Sequence, residues 1–227
     1  GHSASTPQAD NTMSSNTRTR ILVASLTLFN ENGVPHTTTN EIADEVDISP
    51  GNLHYHFRKK SNIVEALLEE FQADARSVLQ SPRSELASLD DLWVFLHFLL
   101  ELKAAYGFLW RDMESLVAEY PKVAVALKHF ARGVIATFEL YLHTLNASSV
   151  VALEDDDAAI VSRNLAVIAL LSDRLDELID GTHSADDSAL RTAAGVLSVL
   201  RPLVAETAVE HLDELLAHFS DFDIQPG

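Results

Sequence analysis

Two helix-start signals in the stretch 37–60 constrain this chain more than any other feature. Thr38, with Glu41 three residues on, is a capping-box pattern. Ile42, Ala43 and Val46 then fall on one face, which predicts a short amphipathic helix of about two turns. Asp47 and Ile48 read as a turn. Ser49 is a good N-cap, and Pro50 fits the first helical position, where its missing N–H is no loss. Leu53 and Phe57 are four apart and share one face, so they can anchor this second short helix to a core. Upstream, residues 17–32 form a longer helical pattern with Ile21, Leu22, Ser25, Leu28 and Phe29 on one face and Gly33 as its C′ stop. The reading is a three-helix unit with helix-turn-helix layout and a mini-core of Ile21, Leu22, Leu28, Phe29, Ile42, Val46, Leu53 and Phe57.

What the second short helix leaves outside is as informative as what it buries. Gly51, Asn52, His54, Tyr55 and His56 are free of the core-facing pair, and Arg58, Lys59 and Lys60 follow as consecutive positive charges. A helix held by two residues, with its polar face open, suits a DNA major groove. The plainer alternative is that Tyr55, His56 and Lys60 are ordinary surface residues.

Three stretches carry a family resemblance. They are Arg20-Ile-Leu-Val-Ala-Ser-Leu-Thr-Leu-Phe-Asn-Glu-Asn-Gly33, Thr37-Thr-Thr-Asn-Glu-Ile-Ala-Asp-Glu-Val46 and Ile48-Ser-Pro-Gly-Asn-Leu-His-Tyr-His-Phe-Arg-Lys-Lys60. Together they resemble the DNA-binding domain of TetR-type repressors over residues 17–68. The resemblance implies an all-α fold: an N-terminal three-helix helix-turn-helix DNA-binding domain (17–60), a connecting helix (61–80) and a larger helical effector-binding and dimerisation domain (81–227). It implies phosphate contacts from Thr39, Tyr55, His56 and Lys60, close backbone approach at Gly51, and base-edge or mixed contacts from Ser49, Asn52 and His54. Where the family often has a bulky Tyr, this chain has His54. The implied partners are double-stranded DNA carrying a palindromic operator, a small-molecule effector and a second copy of the chain.

The formal net charge of -18 opposes DNA binding when taken over the whole chain. Its distribution resolves most of the conflict. Residues 14–60 hold five Arg/Lys and five Asp/Glu, whereas residues 61–227 hold 11 Arg/Lys against 28 Asp/Glu. Charges more than about 8–10 Å away are largely screened, so the local balance governs the DNA-facing helix. Cysteine is absent, which excludes disulfides, thiolate nucleophiles and Cys-based metal sites. The most apolar run, residues 92–102, carries His97 and Glu101 and is too short to span a membrane. Gly1, His2 and Ser3 read as a tag remnant, and residues 1–16 as a disordered tail without a signal-peptide core. The expectation is a cytoplasmic protein.

Beyond residue 60 the pattern is helical throughout: 61–80, a break at Ser81-Pro82-Arg83-Ser84, a nearly all-round apolar helix over 89–105, then 108–120, 123–146, 158–180, 187–200 and a last helix from Pro202 to about Phe219. Leu171 and Leu175 on one of these helices, with Leu190, Ala194 and Leu197 on the next, predict a two-helix face that pairs with its mate as a four-helix bundle. Interior packing within one protomer is the competing reading. Phe95, Leu99, Phe108, Trp110, Arg111, His129 and Arg132 mix apolar and charged groups and are candidate walls of an effector pocket. Alternatively Phe108 and Trp110 are core and Arg111 pairs with Asp112, Glu114 or Glu119. No catalytic constellation, cofactor motif or metal site stands out. His54 and His56 point about 200° apart on a helix and do not chelate together. The function predicted is a ligand-responsive transcriptional regulator, not an enzyme, released from its operator by an inducer. The rivals are a helical-domain enzyme and a protein-interaction module with a vestigial DNA-binding head.

Overall fold

The computed structural model describes residues 7–79 and 87–221, and its contacts divide the chain into two compact units. The predicted break at Ser81–Ser84 and the first six residues lie outside the described residues. No described helix is long and apolar enough to cross a membrane.

The first unit comprises residues up to Gln72 together with Tyr106–Ala126. Its helices are α1 (Pro7–Asn32), α2 (Thr39–Glu45), α3 (Pro50–His56), most of α4 (Lys60–Leu79), α6 (Phe108–Arg111), α7 (Met113–Glu119) and the start of α8 (Pro121–Ala147). Helix α1 begins at Pro7, so residues 7–16, expected in a disordered tail, are helical. Proline is suited to a first helical turn. The polar residues that follow are accommodated by back-bonding: Thr17 donates to the Met13 carbonyl (3.1 Å) and Thr19 to that of Ser15 (3.0 Å).

Ile21, Leu22, Phe29, Ile42, Val46, Leu53 and Phe57 are buried as the pattern predicted, with Leu28 only half-buried. Ile63, Val64, Leu67, Leu68 and Phe71 of α4 complete the core. Helix α4 starts at Lys60, one residue before the predicted span 61–80. The Asn62 side chain accepts the Lys59 N–H (3.1 Å) and does the capping.

Contacts group 106–126 with the first unit, whereas the sequence division places all of 81–227 in the second domain. The reason is aromatic packing. Phe108 lies 5.7 Å from Phe29, and Phe71 meets Tyr106 and Trp110 edge-on at 5.4 and 5.8 Å. Burying side chains of this size contributes about 1.5–3 kcal/mol each. Polar contacts fix the angle: the Asn30 side chain accepts the Phe108 N–H (2.9 Å), and Arg111 donates to the carbonyls of Asn30 (3.3 Å) and Glu31 (2.7 Å). These carbonyls belong to the last turn of α1, where a cation is favourable. Gly33, at φ +83°, stops α1, and the Asp112 carboxylate occupies the space a Cβ would need. The single helix predicted over 108–120 is broken at Asp112 (φ -116°, ψ 31°) into α6 and α7. Helix α8, expected from 123, starts two residues earlier at Pro121.

The second unit comprises Ala73–Ala105 and the chain from Leu127 onward. It holds α5 (Leu89–Ala105), the rest of α8, α9 (Asp155–Asp180), α10 (Ala185–Leu200) and α11 (Glu206–Asp221). Ser88 and Asp91 cap α5 reciprocally: the Ser88 hydroxyl accepts the Asp91 N–H and the Asp91 carboxylate accepts the Ser88 N–H. Phe95 of α5 packs against Phe138 (5.3 Å, edge-on) and Tyr141 (5.8 Å, stacked) of α8. Contrary to the all-round apolar expectation, Val94 and Phe98 are exposed, while Lys103 is buried and ion-paired to Asp173 of α9 at 2.5 Å. Burial pulls the Lys103 ammonium below its ordinary value, and Asp173 opposes that shift. A Cβ on Gly195 would lie 3.0 Å from Ile168, so glycine permits the close α9–α10 approach. The linkers before α9 and α11 meet in an isolated antiparallel bridge, Val151 with Val204.

Candidate nucleic-acid interface

The interface is assembled from its caps outward. Before α2, the Thr38 hydroxyl accepts the Glu41 N–H (3.2 Å) and the Glu41 carboxylate accepts the Thr38 N–H (2.7 Å). The backbone bond, then the hydroxyl, holds the Glu41 carboxyl below its ordinary value. Between α2 and α3, Asp47 takes φ 56°, a left-handed conformation that Asp tolerates better than most residues. The Ile48 N–H closes the turn on the Ala43 carbonyl (3.0 Å), and Arg20 of α1 donates to the Val46 carbonyl (2.6 Å). At the start of α3 the Ser49 hydroxyl accepts the Asn52 N–H at 3.1 Å. Leu53 and Phe57 are buried beneath the helix, and the Arg18 guanidinium lies 4.9 Å from the Phe57 ring centroid. Sequence places Asp47 in a turn without showing its left-handed backbone, and it singles out neither Arg18 nor Arg20. Their roles depend on approach across the fold or on one dihedral, which local pattern does not report.

With α3 fixed this way, Ser49, Gly51, Asn52, His54 and Tyr55 all face solvent. Tyr55 is 79% exposed, far beyond what packing would ask of a large aromatic. Its ring meets His56, which is half-buried, edge-on at 5.2 Å. The Ser49 lone pair is committed to the cap, so its hydroxyl retains its proton as a donor. A Cβ on Gly51 would meet only Ser49 Oγ, 3.9 Å away. Nothing inside the chain demands glycine there, which leaves room for an external surface. Thr39 is half-buried in the first turn of α2.

Lys60 departs from the free phosphate-seeking lysine of the sequence reading. Its ammonium donates to the carbonyls of Val34 (2.7 Å) and Thr37 (3.0 Å) in the α1–α2 connection. Two of its three N–H donors are thereby used within the fold.

The seven candidate pocket residues do not gather in one unit. Phe108, Trp110 and Arg111 belong to the first, where the two rings are core and Arg111 turns to the α1 carbonyls. Phe95, Leu99, His129 and Arg132 belong to the second; Phe95 and Leu99 are buried, whereas His129 and Arg132 face solvent. Of the five candidate interface residues, Leu171 and Leu175 are exposed and Leu190 and Ala194 half-buried. Leu197 is only 3% exposed, so it belongs to the core of its own unit. The exposed apolar side chains on α9 extend to Ile160, Val167 and Leu178. Among the described residues no group of three or more His, Asp or Glu is placed to hold a metal ion.

Comparison with known proteins agrees with this geometry. Residues 21–67 match the pattern of the bacterial regulatory proteins of the tetR family, and residues 70–212 match the TetR pattern described as bacterial transcriptional repressor. The chain is similar to the HTH-type transcriptional repressor KstR2 of Rhodococcus jostii, 36% identical over 91 residues (38% of this chain, 45% of that protein). It is also similar to KstR2 of Mycolicibacterium smegmatis, 27% identical over 109 residues (46% of this chain, 53% of that protein). The chain thus spans about half the length of these curated relatives. Among solved structures, a TetR-family transcriptional regulator from Marinobacter aquaeolei VT8 matches with a TM-score of 0.80 at 25% identity, covering 89% of this chain and 98% of that one.

Proposed function

The chain belongs to the TetR family of bacterial regulators, and from that premise we propose that it is a cytoplasmic, homodimeric transcriptional repressor released from a palindromic operator by a small molecule. One observation carries the reading: α3 is pinned by Leu53, Phe57 and the Ser49 cap while Asn52, His54 and Tyr55 are left in solvent. A rigid helix with an uncommitted polar face fits a major groove. In this reading Asn52 and His54 address base edges, Tyr55 and His56 donate to phosphates, and Gly51 lets the backbone approach the strand.

The exposed apolar face of α9 supports self-association, because such a continuous stripe on one helix is unusual for a free surface. Pairing through α9 and α10 would present two copies of α3 to successive major grooves about 34–36 Å apart. The effector is placed in the second unit, the part of the chain that carries no DNA-facing helix. An inducer that favours another spacing of the two heads lowers operator affinity by its differential binding energy. Inside the first unit, Arg111 and Phe108 fasten the 106–113 segment to the end of α1. Any displacement of that segment therefore displaces α1.

Selection of duplexes from random-sequence DNA by the purified chain tests the reading. Asn52→Ala and His54→Ala are expected to relax selectivity, since a base-edge contact is worth about 1–3 kcal/mol of discrimination. Tyr55→Phe is expected to weaken all duplexes alike, by about 0.5–3 kcal/mol. Recovery of no preferred duplex by the folded wild type would refute the proposal and favour the enzyme or interaction-module alternatives.

A further inference from the structure

Beside the end of α3 the first unit opens a cleft of about 420 Å³, lined among others by Lys59, Lys60, Glu65, Glu119 and Lys122. Lys122, in the first turn of α8, lies far outside the helix-turn-helix in sequence yet in the same unit. Its ammonium is 2.9 Å from the Glu65 carboxylate and its side chain is 70% exposed. Lys59 is exposed, and its ammonium has no side-chain partner among the described residues.

We infer that Lys122 is a DNA-backbone contact supplied from outside the helix-turn-helix, with Glu65 as the acid that competes with phosphate for its ammonium. This rests on the DNA-binding reading above. A duplex seated along the exposed face of α3 carries a strand past the end of that helix, where Lys59 begins the cleft. Glu65 occupies one of the three N–H donors of Lys122 and leaves two for phosphate oxygens. The charge balance also fits. Three lysines against two glutamates leave one net positive charge, the complement of one phosphodiester. Glu65 and Glu119 meanwhile keep the cleft from being a strong general anion sink. The same chemistry would accept a free phosphate, so the test must separate the two sources.

Binding of the full chain to its selected duplex and to a scrambled duplex is titrated across salt concentrations. Lys122→Ala and Lys122→Gln are expected to reduce the slope of log K against log salt by about 0.9 for each protomer bound, equally for both duplexes. Glu65→Gln is expected to act oppositely, tightening both duplexes at low salt, and the Glu65→Gln/Lys122→Ala double variant is expected to match Lys122→Ala. Wild-type slopes in both folded Lys122 variants overturn the inference. If Asn52→Ala still relaxes selectivity in that case, the DNA-binding reading survives and this one alone falls; a wild type that selects no duplex sinks both. In a parallel arm, inorganic phosphate is added to the DNA-free protein. A thermal midpoint raised in wild type but not in Lys122→Ala, with unchanged DNA slopes, assigns the cleft to a free anion and refutes the DNA contact.

Discussion

Replacing Lys60 by methionine separates its role in the fold from any role on DNA. Methionine keeps an unbranched stem of similar length and removes only the ammonium donors. In the folded chain those donors hold the carbonyls of Val34 and Thr37 at 2.7 and 3.0 Å. A hydrogen bond from a charged group contributes about 1.5–3 kcal/mol net when well buried. Lys60 is half-buried, so water recovers part of what is lost. The pair together is expected to be worth about 2 kcal/mol. That corresponds to a thermal midpoint lower by roughly 4–8 °C if the whole chain unfolds as one unit. The assay is urea and thermal unfolding without DNA, with Lys59→Met as control. Lys59 is exposed, so its change is expected to stay within about 0.5 kcal/mol of wild type. If Lys60→Met is as stable as Lys59→Met, the carbonyl bonds contribute nothing and Lys60 reverts to a free phosphate ligand. A drop in stability that accompanies weaker DNA binding would mean that Lys60 substitutions report on the α1–α2 connection as well as on phosphate.

Two further outcomes test other parts of the molecule. Leu175→Glu changes an exposed residue and is expected to leave the protomer folded while sedimentation shifts from dimer to monomer; Leu197→Asp buries a charge and is expected to unfold it, at a cost of several kcal/mol. A wild type that sediments as a monomer at micromolar concentration would count against the dimer. Glu41 is held below its ordinary value, so its contribution to stability is present above the unfolded carboxyl value and is lost as pH falls through the lowered folded one. Glu41→Gln is expected to flatten that acid limb in a pH series of urea midpoints, and an unchanged limb would show the capping box to be thermodynamically silent.

The parts legible in sequence are those whose cause is local. Thr38 with Glu41, Ser49 with Pro50, and Gly33 each act on backbone groups within a turn of themselves, so pattern alone located them. Leu53 and Phe57 were readable because helical period places them together. What escaped depends on contacts between distant residues. Lys60 meets carbonyls 26 and 23 positions away, and Lys103 meets Asp173 across 70. Phe108 and Trp110 are apolar whether they line a pocket or join the aromatic cluster around Phe29 and Phe71, and composition does not distinguish those fates. Leu197 and Leu175 look alike in the sequence, and only packing shows that one is interior and the other uncovered.

The aromatic cluster has a consequence for anyone cutting or recombining this chain. A fragment ending at Gln72 keeps Phe29 and Phe71 but discards Phe108, Tyr106 and Trp110, the rings that cover them. It also strips the guanidinium from the closing turn of α1. Such an excised head would display greasy, half-finished surface and is a candidate for clumping. A chimera that grafts this head onto another family member's body must therefore carry two pieces, with the 106–126 insert travelling alongside the N-terminal one.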